Sequence, residues 1–123
     1  MTDEAKLRGG IVTMTIDTLT TGALPAQRAD ELMAALKSIA GENMRDGSPL
    51  EGELDTARRC SSGWSMGGGG TWVAASMHPE LKCAVSFAAW QPTGGAMNKV
   101  PLLMFEGTVD PLAAGMSQGF YDK

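Results

Sequence analysis

Gly63-Trp64-Ser65-Met66-Gly67-Gly68-Gly69-Gly70 is the stretch on which the reading of this chain turns. It contains G-x-S-x-G, the spacing of a nucleophile elbow, in which a serine occupies a sharp turn between a strand and a helix. Upstream, residues 56–62 predict a short strand; downstream, the small residues of 67–77 predict a helix. A serine at such a turn adopts a backbone conformation that is costly for any residue but glycine. Gly63 and Gly67, two before and two after it, are expected to let strand and helix approach without a clash at Cβ. The hydroxyl of Ser65 then projects into a cleft. The N–H of Met66 faces the oxygen that becomes negative in a tetrahedral intermediate, helped by the positive end of the helix dipole. A phosphate-cradling loop is the competing reading. It fits poorly, because no Lys-Ser/Thr follows the glycines and no G-x-G-x-x-G register fits residues 67–70.

In proteins with this turn the acid follows the serine in the chain, and a histidine follows the acid. Residues 100–105 form an apolar run of strand length. It ends in the polar turn Glu106-Gly107-Thr108-Val109-Asp110-Pro111, which places Asp110 just past a buried strand and 45 positions after Ser65. An Asp before Pro is commonly only a turn residue, but this position is where the orienting carboxylate belongs. Glu106 competes for the role; Asp110 is preferred because Pro111 fixes the turn. The third member is missing. None of the thirteen residues after Asp110 is a histidine, and the single histidine, His78, precedes the acid and stands one residue before Pro79. It reads as the cap of the helix that follows the elbow. Without a base a serine hydroxyl stays protonated and weakly nucleophilic.

Elsewhere strand and helix signals alternate, which predicts an α/β protein with a mostly parallel sheet flanked by helices. Residues 11–16 predict a strand. Pro25 opens a helix to about residue 40, with Leu32, Leu36 and Ile39 on one face and Gly41 as its stop. Residues 42–53 predict a loop, 83–88 and 102–105 strands, and a last helix begins near Ala113. Residues 1–123 are read as one partial domain. A hydrophobic share of 43% with 20% charged residues argues against disorder. The net charge of −4 without a basic cluster disfavours nucleic acid. No apolar run approaches a membrane span. The start, Met1-Thr2-Asp3-Glu4-Ala5-Lys6, lacks the basic and apolar stretches of a signal peptide. Cys60 and Cys83 lie on predicted buried strands and are expected to be free thiols, since bridges between adjacent strands tend to strain. No C-x-x-C or metal cluster stands out, so neither a metal nor a cofactor is expected.

Several further segments share one resemblance. Gly10-Ile11-Val12-Thr13-Met14-Thr15-Ile16-Asp17-Thr18, Asp55-Thr56-Ala57-Arg58, the elbow octapeptide, Pro79-Glu80-Leu81-Lys82, Ala89-Trp90 and Val100-Pro101-Leu102 fall at matching spacings. From about Gly9 onward the chain resembles the bacterial cutinase family of polyester hydrolases, most closely its poly(ethylene terephthalate) hydrolases. The resemblance implies a partial α/β-hydrolase fold and a secreted serine ester hydrolase that forms an acyl-enzyme on Ser65. It implies Met66 as an oxyanion donor, Asp110 as the acid, and an apolar groove in which Trp90 flanks an aromatic acyl group while Trp64 and Leu112 extend the walls. The expected partner is an ester or polyester substrate. The family chain is longer at both ends, so the histidine and some flanking strands are expected outside this sequence, and the open sheet edges are expected to favour self-association. Two departures stand out. Arg59-Cys60-Ser61-Ser62 is more polar than the family strand, and Gly107 occupies a position where some relatives carry a cysteine.

Overall fold

The computed structural model describes residues 10–92 and 98–121; residues 1–6, read as lacking a signal peptide, lie outside them. Element order is α1 (Pro25–Glu42), β1 (Cys60–Trp64), α2 (Met66–Met77), β2 (Cys83–Phe87), β3 (Leu102–Phe105) and α3 (Met116–Tyr121). The strands form a sheet in the order β1-β2-β3, parallel throughout. This is a partial α/β-hydrolase fold, with three strands and the crossover helix that parallel pairing of β1 and β2 requires.

Alternation along the strands decides the packing. Ser61, Ala84 and Ser86 are buried, with Leu102 and Met104 half-buried on the same face, while Trp64, Phe87, Leu103 and Phe105 are exposed on the other. The buried face meets α2, whose residues 68–76 are all buried. Helix α1 packs on α2 in turn, so the core runs from Ala29 through Trp72, Val73, Ala74 and Ala75 to Leu81, Ala84 and Val100. On α1 Leu36 packs on the core as predicted, but it is joined there by Ala29 and Met33 rather than by Leu32 and Ile39. On the opposite face of the sheet Phe87 and Phe105 stack with ring centroids 5.1 Å apart. Parallel sheets are normally covered on both faces; among the described residues nothing covers this one.

Five expectations are corrected. Residues 11–16 form no strand and are largely exposed, Ile11 at 64%. The reason is the lack of a neighbour: among the described residues β1 pairs only with β2, and an extended segment without a ladder partner leaves its backbone groups to water. The strand before the elbow begins at Cys60, not at 56, because Asp55 folds residues 55–58 into a turn. Its Oδ1 accepts the Ala57 N–H at 3.0 Å and its Oδ2 receives Arg58 Nε at 2.6 Å. The last helix starts at Met116 rather than near Ala113, and Gly41 does not stop α1, which runs on to Glu42.

The fifth concerns the cysteines. Cys60 and Cys83 are joined in a disulfide, not free. They stand directly opposite in the ladder, with a Cα–Cα distance of 4.8 Å that falls within the bridging range. Neither is buried: both lie on the uncovered face of the sheet, Cys60 exposed and Cys83 half-buried.

Candidate active site

Ser65 sits between the end of β1 and the start of α2 with φ 53° and ψ −121°. This is a region that non-glycine residues occupy only when the surroundings impose it. The surroundings do so by three backbone hydrogen bonds. Ser65 N–H donates to the Phe87 carbonyl at 3.0 Å, and its carbonyl accepts the N–H of Gly69 at 3.0 Å and of Trp90 at 2.9 Å. The glycines around it provide the space. A Cβ on Gly63 would overlap the Gly67 backbone, and one on Gly69 would overlap the Trp90 carbonyl. Gly67, expected to provide clearance for its own Cβ, has nothing within 4 Å of that position. Its contribution is the bare backbone that Gly63 meets.

Met66 is the first residue of α2. Its N–H is one of the first-turn amides that have no partner inside the helix, and it is followed by buried Gly68, Gly69 and Gly70. A helix N-terminus carrying such amides attracts negative charge.

Asp110 follows β3, and β3 lies two strands from β1. Parallel strands put Ser65 and the segment after Phe105 at the same edge of the sheet, about 10 Å apart at two strand spacings. Asp110 Oδ1 accepts the N–H groups of Leu112 at 2.8 Å and Ala113 at 2.9 Å. These bonds hold its carboxyl below the usual aspartate value, the Leu112 amide contributing most and slight burial opposing it. Oδ2 has no donor among the described residues. Glu106, the competitor, is fully engaged: its two oxygens accept the N–H groups of Gly115 and Ser117. Burial pushes its carboxyl up, but donation from Ser117 and Gly115 outweighs that and leaves it lowered.

His78 is the C-cap of α2, its N–H bonded to the Ala74 carbonyl at 2.8 Å and its Nδ1 3.0 Å from Glu80 Oε1. The twelve-residue helix separates it from Ser65 by about 18 Å. It does not reach the serine.

Of the groove residues, Trp64 is 73% exposed and Leu112 72% exposed. Trp90 is half-buried and tied through its backbone to the serine. A cavity of about 300 Å³ is lined by Leu19, Thr20, Ala23, Gln27, Asp30 and Glu31, and by none of the predicted site residues. The reading of the sequence missed Ala88. It takes φ 43° at the end of β2, donates to the Phe105 carbonyl at 2.7 Å, and so turns the chain back to bring Trp90 onto Ser65. Nothing in Ser86-Phe87-Ala88-Ala89 marks it, because an alanine at positive φ carries no compositional sign.

A parallel sheet with a strained serine at the strand–helix turn, and a carboxylate two strands away, is the arrangement of the α/β-hydrolase class of folds. Within that class the chain belongs to the PET hydrolase-like family (PETase), whose family model matches residues 6–123. It is 36% identical over 92% of its length to Cutinase 1 of Thermobifida cellulosilytica, covering 43% of that protein. The same identity and span hold against a cutinase of Thermobifida fusca (strain YX), of which it covers 38%. Over 66% of its length it is 41% identical to a bis(hydroxyethyl) terephthalate hydrolase of Streptomyces coelicolor, covering 24% of it. The chain thus spans less than half the length of these relatives.

Proposed function

We propose that this chain carries the nucleophile and the acid of a serine ester hydrolase acting on polyesters of the poly(ethylene terephthalate) type. The observation that supports it most is the backbone of Ser65, held at φ 53° by bonds from both Gly69 and Trp90. Ser65 Oγ attacks the ester carbonyl, the alcohol leaves, and water hydrolyses the acyl-enzyme. The Met66 N–H stabilises the oxyanion. Asp110 orients, through its unengaged Oδ2, a histidine that removes the Ser65 proton and returns it to the leaving alcohol. An imidazole with a hydrogen bond at each end suits the gap of about 10 Å between the two strand ends. His78 is too distant, so this histidine lies outside the present sequence. The names of the relatives, cutinases and a bis(hydroxyethyl) terephthalate hydrolase, support the substrate class. Trp90, Trp64 and Leu112 would supply apolar walls, aromatic ones stacking on a terephthalate ring.

The distance of His78 from Ser65 favours a second reading, that the isolated chain is catalytically incompetent. One assay separates the two. p-Nitrophenyl butyrate hydrolysis by this chain and its Ser65→Ala variant should differ little, whereas in a chain completed with the histidine-bearing C-terminal part of a relative the variant should abolish turnover. Loss of neither activity in the completed chain would refute the nucleophile. A polymer substrate lies outside the cell, and the Cys60–Cys83 bridge suits an oxidising compartment; both support secretion. No helix among the described residues is long and apolar enough to cross a membrane.

A further inference from the structure

The segment from the end of β3 to the start of α3 contains two carboxylates that accept four backbone N–H groups between them, and they divide the work. Asp110 organises the inner turn, through the amides of Leu112 and Ala113. Its own N–H donates to the Gly107 carbonyl at 3.2 Å, and its carbonyl accepts the Ala114 N–H at 3.2 Å. Glu106 closes the outer ring. It is the first residue after Phe105, and it reaches across nine and eleven positions to Gly115 and to Ser117, the latter at 2.8 Å. Gly115 takes φ 81°, a conformation open to glycine, just where the chain turns from that loop into α3. No ion pair is formed by either carboxylate among the described residues, and the two repel each other. Donors from Gly115 and Ser117 of the same loop hold Glu106 in its place beside a like charge.

We infer that Glu106 is a positioning residue for Asp110: by tying β3 to the start of α3 it holds the turn in which Leu112 and Ala113 bind Oδ1, and so leaves Oδ2 as the oxygen presented to a histidine. The inference rests on the reading of Asp110 as the orienting acid and adds the group that fixes its direction. It also separates the roles of the two carboxylates that the sequence left in competition. Both oxygens of Glu106 are occupied within the loop, whereas only one of Asp110 is. Glu106 is tied by both oxygens to amides of its own loop, whereas Asp110 is fixed through Oδ1 and keeps Oδ2 open to a further donor.

The test is carbon-detected NMR titration of the Asp110 carboxyl, with amide hydrogen exchange, in the 123-residue chain and its Glu106→Ala and Glu106→Gln variants. If Glu106 holds the turn, Glu106→Ala moves the Asp110 titration up toward the ordinary value of about 3.9. It should also speed exchange at Leu112 and Ala113 by about tenfold, the factor expected when a charge-assisted hydrogen bond is lost. Glu106→Gln, which keeps one acceptor oxygen, should move both readouts less. If Glu106 is merely a neighbouring negative charge, its removal moves the Asp110 titration down. That direction, or faster exchange confined to Gly115 and Ser117, overturns the inference. Should Glu106→Ala not fold, the same two readouts on Glu106→Gln decide by the same signs. Neither measurement reads ester hydrolysis. The Asp110 assignment fails separately, if Asp110→Asn retains full turnover in the histidine-completed chain.

Discussion

Removing the Cys60–Cys83 bridge is expected to cost the chain a large part of its stability. The bridge closes a sequence separation of 23 residues. In the chain-entropy account a loop of that size constrains the unfolded state by about 3.4 kcal/mol. Stabilities of whole domains are about 5–15 kcal/mol. The structure gives no compensation elsewhere: β1 is an edge strand with β2 as its sole strand neighbour among the described residues, and it leads directly into the serine turn. With an unfolding entropy of about 2.1 cal/mol/K per residue, 123 residues carry about 0.26 kcal/mol/K, so the loss corresponds to a fall in Tm of about 13 °C. Differential scanning calorimetry of the oxidised chain, of the chain reduced with a dithiol, and of a Cys60→Ser/Cys83→Ser variant measures it. The two perturbed forms should agree with each other and lie well below the oxidised one. A change under about 3 °C in both would refute the entropic argument, and two titratable thiols in the air-oxidised, denatured chain would refute the bridge itself.

The elbow glycines should separate sharply by calorimetric stability. Gly63→Ala, whose Cβ meets the Gly67 backbone, is expected to lose about 3 kcal/mol or more. Gly67→Ala, with open space at its Cβ, should gain up to about 1 kcal/mol; equal losses would contradict the geometry. Thr71 is fully buried on α2 and its hydroxyl has no partner among the described residues, so Thr71→Val should stabilise by about 1 kcal/mol in urea unfolding. A loss there would mean that the hydroxyl is bonded after all. The open β1 and β3 edges and the uncovered Phe87–Phe105 face should make the isolated chain associate in static light scattering, and a clean monomer with a sharp thermal transition would count against it.

The elbow and β3 were legible because their signals are local. G-x-S-x-G fixes a turn through glycines whose absent Cβ atoms have identifiable neighbours, and Leu102–Phe105 is an apolar run bounded by turn residues. Other parts depend on partners that a linear reading does not supply. Residues 11–16 have strand composition, but strand formation needs a neighbour. Cys60 and Cys83 looked like buried thiols because both lie on segments that read as buried strands; only the register, Cys60 opposite Cys83, shows that they meet on an open face. Ser61 and Ser86 face the helix as buried hydroxyls without partners among the described residues, the reverse of what their polarity suggests. Asp110 was preferred to Glu106 on Pro111 alone, and the N–H groups that each carboxylate accepts are what separates their surroundings.

The central claim is that Ser65 is a nucleophile awaiting a histidine, and acyl trapping tests it most directly. The chain extended by the C-terminal part of the Thermobifida cellulosilytica cutinase, where the account expects the histidine, is mixed with p-nitrophenyl butyrate, quenched in acid within the first turnover, and its peptides are weighed by mass spectrometry. The account predicts a butyryl group on the peptide containing Ser65, absent from the Ser65→Ala variant and from this chain alone. Ester turnover in the completed chain without any adduct at Ser65, undiminished by Ser65→Ala, would contradict it.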